Sequence, residues 1–316
     1  MRKLVVVGNG MAGVACVEQI LRHQHDFEIT VFGDETHVNY NRIMLSSVLA
    51  GEKSSDDIVL NDIHWYRANN IQPRLGVRVS GIDAAAHLIT DQDGNSTPFD
   101  KLILATGSSA FVPKIPGVDK KNIFVFRTLD DTRSLIELSA KGRKAVVIGG
   151  GLLGLEAARG LQVQGCDVTV IHLMPTLMER QLDPDGGDYL RRKIEALGVR
   201  VMLSKQTSEF MGNGHVQGLR FACGEEVDAE LVVIAAGIRP NIELARAAGV
   251  EVGRGIVVND YMETSHPDVY AVGECTEHRG QTFGLVAPLF EQGKVWRRPS
   301  PAIKDRSSPV PHPPRS

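Results

Sequence analysis

The chain has 316 residues, 42% of them hydrophobic and 23% charged, with a formal net charge of −3. That length accommodates two domains with buried cores, and the composition is that of a globular α/β protein rather than a disordered or fibrous one. The near-neutral charge gives no electrostatic case for nucleic acid or an anionic membrane surface, and no apolar run reaches the roughly 20 residues of a membrane span.

The chain opens on KLVVVGNGMAG, Lys3 to Gly13. A β-branched run stops at Gly8, and a helix is predicted over Val14–Leu21. Between them Gly8, Gly10 and Gly13 form GxGxxG, with Met11 and Ala12 inside the loop. In such a loop the first glycine permits the tight turn and the second lets backbone approach a pyrophosphate. The third lets helix and strand pack closely. The helix N-terminus then offers free N–H groups and a positive dipole end to phosphates. This is a dinucleotide site at the start of the chain.

Glu28–Phe32 is the next predicted strand. A carboxylate at its end would hydrogen-bond the adenosine ribose, and Asp34 and Glu35 both stand beside that slot. In NYNRIMLSSVL, Asn39 to Leu49, the guanidinium of Arg42 leads into a helix and suits a pyrophosphate. Ile58–Asn69 reads as strand or loop followed by helix, and Asn70–Val79 as a short strand and turn. Ser80–Phe99, with an Asp-Gly turn, predicts a β-hairpin. KLILATG, Lys101 to Gly107, is an apolar strand ending in Thr106 and Gly107, and the proline-bearing stretch after it is a crossover between domains.

After a strand at Asn122–Arg127 and a helix at Leu129–Ala140, the opening pattern returns as KAVVIGGGLLGLE, Lys144 to Glu156. Gly149, Gly151 and Gly154 again follow a strand and open a helix, with Leu152 and Leu153 in the loop. Two such units about 140 residues apart imply two nucleotide-binding folds. The second continues through a strand at Asp167–Ile171 to His172. A carboxylate there would favour NADH and an arginine NADPH; His172 is neither, and Arg180 lies too far along to assign by spacing, leaving a slight lean to NADH. A helix within Leu182–Leu197, a strand in GVRVML and part of a meander over Gly212–Ala222 follow. Leu231–Gly237 is a buried strand ending at Gly237, after which the chain turns back toward the first domain. Val269–Val272 ends at Gly273 and Glu274, a glycine and carboxylate suited to a ribityl hydroxyl. The helix expected over Gly284–Gln292 could point its N-terminus at a flavin. The segment 293–316, rich in Pro, Ser and Arg, is expected to be disordered.

The four cysteines, Cys16, Cys166, Cys223 and Cys275, are widely spaced, so neither a zinc site nor an iron–sulfur cluster has its usual ligand spacing and no metal is expected. Val5–Val7 is too short for a signal peptide, and cytoplasm is the expected compartment.

GNGMAG, LATG, GGGLLGLE and YAVGEC, in this order, resemble the flavoprotein reductases with two dinucleotide-binding domains. NRIMLSSVLAGE, HLMPTLMERQLD, LRRKIEALGVRV and GECTEHRGQTFGLVAPLFEQ resemble, more narrowly, the N-terminal flavin module of NAD(P)H-dependent nitrite reductase large subunits. The resemblance covers residues 1 to about 292. It implies an α/β fold of two doubly wound parallel-sheet domains, FAD in a split domain (1–112 and 240–292) and NAD(P)H in an inserted one (113–239). It implies hydride transfer from NAD(P)H to flavin N5 and electrons passed to an iron–sulfur or sirohaem acceptor. By position it assigns FAD to Gly8, Gly10, Gly13, Glu35, Arg42, Thr106, Gly107 and Glu274, and the nicotinamide dinucleotide to Gly149, Gly151 and Gly154. Glu156 would lie near the flavin–nicotinamide stack. Relatives often pair that glutamate with a lysine after Leu-Ser; here Leu45 and Ser46 are followed by Ser47, so the ion pair is absent and a catalytic role for Glu156 is in doubt. The cysteine of disulfide-reducing relatives is missing from the same loop. No acceptor domain follows residue 292, which reads as C-terminal truncation and would weaken a family homodimer. Three alternatives stand: a stand-alone ferredoxin or rubredoxin reductase, a binding-only flavoprotein with little turnover without its partner, and an inactive truncated product that does not hold FAD.

Overall fold

The computed structural model describes residues 1–23, 26–284, 288 and 291–293. The helix expected over Gly284–Gln292 lies mostly outside the described residues, and the tail expected to be disordered lies almost wholly outside them.

The chain begins with β1 (Arg2–Val7), α1 (Met11–Leu21) and β2 (Phe27–Gly33). A short α2 (Leu45–Leu49) precedes β3 (Ile71–Leu75). A meander of β4 (Val79–Asp83), β5 (Leu88–Asp91) and β6 (Ser96–Pro98) then leads into β7 (Lys101–Leu104). The second half runs β8 (Ile123–Val125), α3 (Leu129–Leu138), β9 (Lys144–Ile148), α4 (Leu152–Val163), β10 (Asp167–Ile171), α5 (Pro184–Ala196) and β11 (Arg200–Met202). Its own meander, β12 (Thr207–Met211), β13 (Gly218–Phe221) and β14 (Glu226–Asp228), precedes β15 (Leu231–Ile234). Finally β16 (Val269–Ala271) rejoins the first sheet.

Two five-stranded sheets result, ordered β16-β7-β1-β2-β3 and β8-β15-β9-β10-β11, and every pair within each is parallel. The sequence dictates this. Leu4–Val7, Leu102–Leu104, Ala145–Val147 and Leu231–Ile234 are buried without alternation, as strands covered on both faces must be. Four strands follow one order in both sheets (β7-β1-β2-β3 and β15-β9-β10-β11), so the chain is an internal repeat of one doubly wound unit, and only the outer strand differs, β16 following its unit in sequence and β8 preceding it.

Two details differ from the sequence expectation. The hairpin expected within Ser80–Phe99 is present as β5 and β6, and β4 extends it to a three-stranded meander: the Asp83 carboxylate accepts the Ala86 N–H and closes a turn before β5, so β4 pairs as well. Helix α1 starts at Met11, not Val14, which places Gly13 inside its first turn.

The chain divides into two compact units, residues 1–36, 66–107 and from 242 onward in one, and residues 37–65 with 108–241 in the other. The division expected from the sequence assigned residues 37–65 to the first unit; they pack with the second. The reason is apolar. Leu45, Val48 and Leu49 are buried in one core with Leu155, Ala157 and Leu161 of α4. Gly160 has no side chain, and a Cβ there would stand 2.7 Å from Leu49 Cγ, so α2 sits directly on the helix. Gln164 Nε2 donates to Leu49 O, and the Tyr40 hydroxyl accepts the Leu129 N–H at the start of α3.

Candidate functional site: two glycine loops at parallel-sheet edges

In the first unit the strand register sets the site. Val7 lies beside Phe32 and Leu104, and Leu104 beside Ala271, so β1, β2, β7 and β16 end at one edge. This carboxyl edge of a doubly wound sheet is where such folds bind ligands. Gly8 turns there with φ +123°, and its N–H donates to Phe32 O. A Cβ on Gly8 would meet Ala105 O at 2.0 Å, and one on Gly13 would meet Gly8 O at 2.3 Å. Gly10, by contrast, caps α1 with φ −83°, and a Cβ there would meet nothing within 4 Å. No side chain caps the helix, so its first N–H groups face that open space. A phosphate fits such a cradle and a side chain would fill it.

The other residues expected at this site converge on the same edge. A Cβ on Gly273 would stand 2.9 Å from Ala12 Cβ, so the end of β16 meets the start of α1. Gly273 is itself left-handed at φ +92°, and its N–H is held by Gln292 Oε1 at 2.7 Å. Glu274 follows, half-buried. Thr106 and Gly107 lie beside Cys275, whose thiol they hydrogen-bond. Burial pushes that thiol up more than those bonds pull it down, and it lies near the carbonyls of Val272 and Leu104, so Cys275 is a neutral buried donor rather than a nucleophile. Burial likewise pushes Cys16 up to about 12. Asp34 and Glu35 follow β2 directly, Asp34 3.8 Å from Arg78 and the Glu35 carbonyl accepting the Gly76 N–H.

The second unit repeats this geometry. Gly149 has φ +129° and donates to Ile171 O; a Cβ there would meet Ala235 O at 2.2 Å, and one on Gly154 would meet Gly149 O at 2.0 Å. Gly151 caps α4 with φ −83° and ψ 178°, against −83° and −179° at Gly10, and again faces open space with no side-chain cap. Leu152 and Leu153 at the helix start are exposed apolar surface, 59% and 37%. Gly237, at φ +115°, lies two residues beyond Ala235, and its carbonyl accepts the Phe111 N–H.

The repeats differ at one instructive contact. Gly33 and His172 occupy matching places, each just after the residue that accepts the loop glycine's N–H. In the first unit Asn9 of the loop carries the bulk and a Cβ on Gly33 would lie 2.8 Å from Asn9 Cβ; in the second, Gly150 is bare and a Cβ there would lie 2.7 Å from His172 Cγ. The sizes are exchanged. Asn9 is fixed by the buried Tyr66 hydroxyl, which donates to its Oδ1 at 2.6 Å. His172 is 9% exposed, and both ring nitrogens are used inside the protein: Gly150 N–H donates to Nδ1 at 3.0 Å, and Nε2 lies 3.0 Å from Glu179 Oε2. His172 therefore braces the loop, and neither of its ring nitrogens is left over for the dinucleotide.

Also within the second unit, Glu156 and Ser46 line a cavity of about 460 Å³ whose walls include Leu152, Leu155, Met178 and Ile194. Partial burial pushes the Glu156 carboxyl up, against a hydrogen bond from Ser46 that pulls it down. Ser46, the residue before Ser47, is thus the partner of this glutamate. Arg42 lies in the same unit, its guanidinium 5.7 Å from the Tyr40 ring centroid, and not in the unit of the first loop, to which the sequence assigned it. Sequence reasoning missed Asn9, Tyr66, Gln292 and Glu179. Comparing the repeats position by position would have exposed the Asn9/Gly33 and Gly150/His172 exchange; nothing local marks Glu179. Among the described residues no cluster of three or more His, Cys, Asp or Glu could hold a metal ion, and no helix is long and apolar enough to cross a membrane.

Two phosphate cradles of one geometry at the edges of two parallel sheets define a dinucleotide-binding oxidoreductase, a flavoprotein with FAD and NAD(P)H as cofactors. The chain belongs to the pyridine nucleotide-disulphide oxidoreductase family, whose model matches residues 2–294. It is 54% identical over 296 residues to a nitrite reductase [NAD(P)H] of Bacillus subtilis (strain 168), covering 93% of this chain and 37% of the relative. It is 49% identical over 295 residues to the assimilatory nitrate reductase electron transfer subunit of the same organism, covering 93% and 38%. The chain thus spans less than two fifths of these curated relatives. Among solved structures it is similar to putidaredoxin reductase in its covalent complex with putidaredoxin, with a TM-score of 0.88, 29% identity, and 93% of this chain and 74% of that one covered.

Proposed function

We propose that this chain is the NAD(P)H-oxidising flavin module of a nitrite reductase of the large-subunit type, passing electrons to an iron–sulfur or sirohaem acceptor. The observation that carries this reading is the pair of matched glycine cradles in a chain 54% identical to a nitrite reductase [NAD(P)H]. When bound, the nicotinamide supplies a hydride and the flavin takes it up and releases electrons singly. The chain's own residues bind and orient. Past the turn at Gly8, Gly10, Met11, Ala12 and Gly13 offer backbone N–H groups to the FAD pyrophosphate, Asp34 or Glu35 takes its ribose, and Thr106, Gly107, Gly273 and Glu274 close on the ribityl side. Gly149, Gly151 and Gly154 hold the nicotinamide dinucleotide, with Leu152 and Leu153 as its apolar contact. Ser46 holds the Glu156 carboxyl, whose proton affinity partial burial raises above that of an ordinary glutamate.

The test is an anaerobic NADH titration of the purified protein followed by visible absorbance. An oxidised-flavin band at about 450 nm that bleaches on titration is the expected result. A protein that cannot be loaded with FAD overturns the reading. Similarity to putidaredoxin reductase favours a second reading, in which the acceptor is a small iron–sulfur protein. Rapid NADH-dependent reduction of an added ferredoxin or rubredoxin would select it.

A further inference from the structure

The second glycine loop lacks a carboxylate in the residue directly after β10, yet one stands in that place. His172 is the first residue beyond the strand, and Glu179, seven residues on, folds back so that its Oε2 lies 3.0 Å from His172 Nε2. Because Gly150 N–H donates to Nδ1, that nitrogen carries no proton, and Nε2–H donates to the carboxylate. Loop, imidazole and carboxylate form one hydrogen-bonded line at the carboxyl edge of the sheet. The imidazole is buried, with its side chain 11% exposed, while the Glu179 side chain retains 31% and can still reach a ligand. A carboxylate has several lone pairs, so one that accepts from His172 and from its own backbone N–H can still accept from a ligand hydroxyl. Partial burial pushes the carboxyl up, but hydrogen bonds from its own backbone N–H and from His172, with the nearby charge of Arg180, outweigh that and hold it below the ordinary glutamate range.

We propose that Glu179, positioned by His172, is the carboxylate that accepts the adenosine ribose hydroxyls of the nicotinamide dinucleotide, and that it selects NADH over NADPH. This rests on the reading of Gly149–Gly154 as the nicotinamide-dinucleotide loop. The physical basis is charge. A carboxylate beside the second strand's end accepts from a ribose 2′-hydroxyl, whereas a 2′-phosphate adds up to about two negative charges against it. His172 is the positioning residue, because its Nε2–H is the contact that ties the carboxylate to the end of the strand. Arg180 is the competing determinant, since a guanidinium would favour the phosphate.

The experiment is calorimetric titration of the FAD-loaded protein with two redox-inactive probes, ADP-ribose and its 2′-phosphate. The wild type is expected to bind ADP-ribose at least about tenfold more tightly, a difference of about 1.4 kcal/mol. Glu179→Gln keeps an acceptor for His172 and is expected to bring the two affinities together. His172→Asn keeps an acceptor for the Gly150 N–H but frees Glu179, and is expected to lose the preference while both probes still bind; a purely structural histidine would leave the ratio unchanged. Arg180→Ala, which removes the group that favours the phosphate, is expected to keep the preference for ADP-ribose and to widen it. An unaltered ratio in Glu179→Gln, or a wild type that prefers the 2′-phosphate and loses that preference in Arg180→Ala, overturns the assignment. Failure of the wild type to bind either probe overturns the dinucleotide reading of the loop itself, which binding without a ratio does not.

Discussion

Gly10 and Gly151 separate ligand binding from folding. Their φ of −83° suits any residue, and a Cβ at either meets nothing in the protein. Gly10→Ala is therefore expected to melt like the wild type by circular dichroism yet purify with much less flavin. Gly151→Ala is expected to keep its flavin and weaken NADH binding. Gly13→Ala and Gly154→Ala differ, because their Cβ atoms would press on backbone oxygens at 2.3 and 2.0 Å. These two are expected to lower the melting temperature as well. Glu156 makes a prediction in pH. Its folded-state proton affinity is raised, so across the window from the ordinary glutamate value up to the raised one the native state binds more protons than the unfolded state, and stability falls as pH rises. Thermal melts across that window are expected to show a downward slope that Glu156→Gln flattens; parallel profiles would refute it. Gly8, Gly13, Gly149 and Gly154 were legible from spacing alone: Gly13 and Gly154 are demanded by contact with Gly8 O and Gly149 O inside the motif, and Gly8 and Gly149 by the left-handed turn that ends the strand. The bracing of those loops by Tyr66 and His172 was not, since it depends on side chains brought in from other elements.

At the scale of elements, the short α2 has the clearest consequence. Its residues precede β3 of the first sheet in sequence, yet Leu49 is fully buried against α4 in the second unit. Leu49→Ala is expected to cost about 2–5 kcal/mol. Hydrogen exchange should locate the loss in α4 and β9 while β1 and β2 stay protected; loss of protection in the first sheet instead would contradict the packing. The elements themselves were readable where periodicity was strong. β10 has the bounds the sequence suggested, since Asp167–Ile171 is an unbroken β-branched run between polar residues. The meander strand β4 was harder to see because Gly81 and the turn at Asp83 interrupt any alternation.

The whole molecule is a doubled fold, and ligand binding should couple to stability separately at each loop. FAD at about 100 times its dissociation constant adds about 2.7 kcal/mol to the free energy of unfolding what it binds. Protein stripped of flavin is expected to melt below the loaded form. NADH or ADP-ribose is expected to add a further increment that Gly151→Ala removes and Gly10→Ala does not. An increment lost in both variants would mean that the loops do not act as separate sites.

The sequence by itself determined the doubled architecture, because a β-branched run ending in GxGxxG is a local instruction: strand, turn and helix start follow one another without a break, and Gly13 and Gly154 pack on Gly8 O and Gly149 O inside the same motif. It also determined which family the chain belongs to, since those motifs and their order are a linear property. Only the tertiary structure decided that residues 37–65 pack with the second unit and that the glycine loops exchange bulk at Asn9/Gly33 and Gly150/His172. It alone joined Glu179 to His172. Those outcomes are fixed by apolar burial and hydrogen bonds between segments distant in sequence, and such contacts leave no spacing to read.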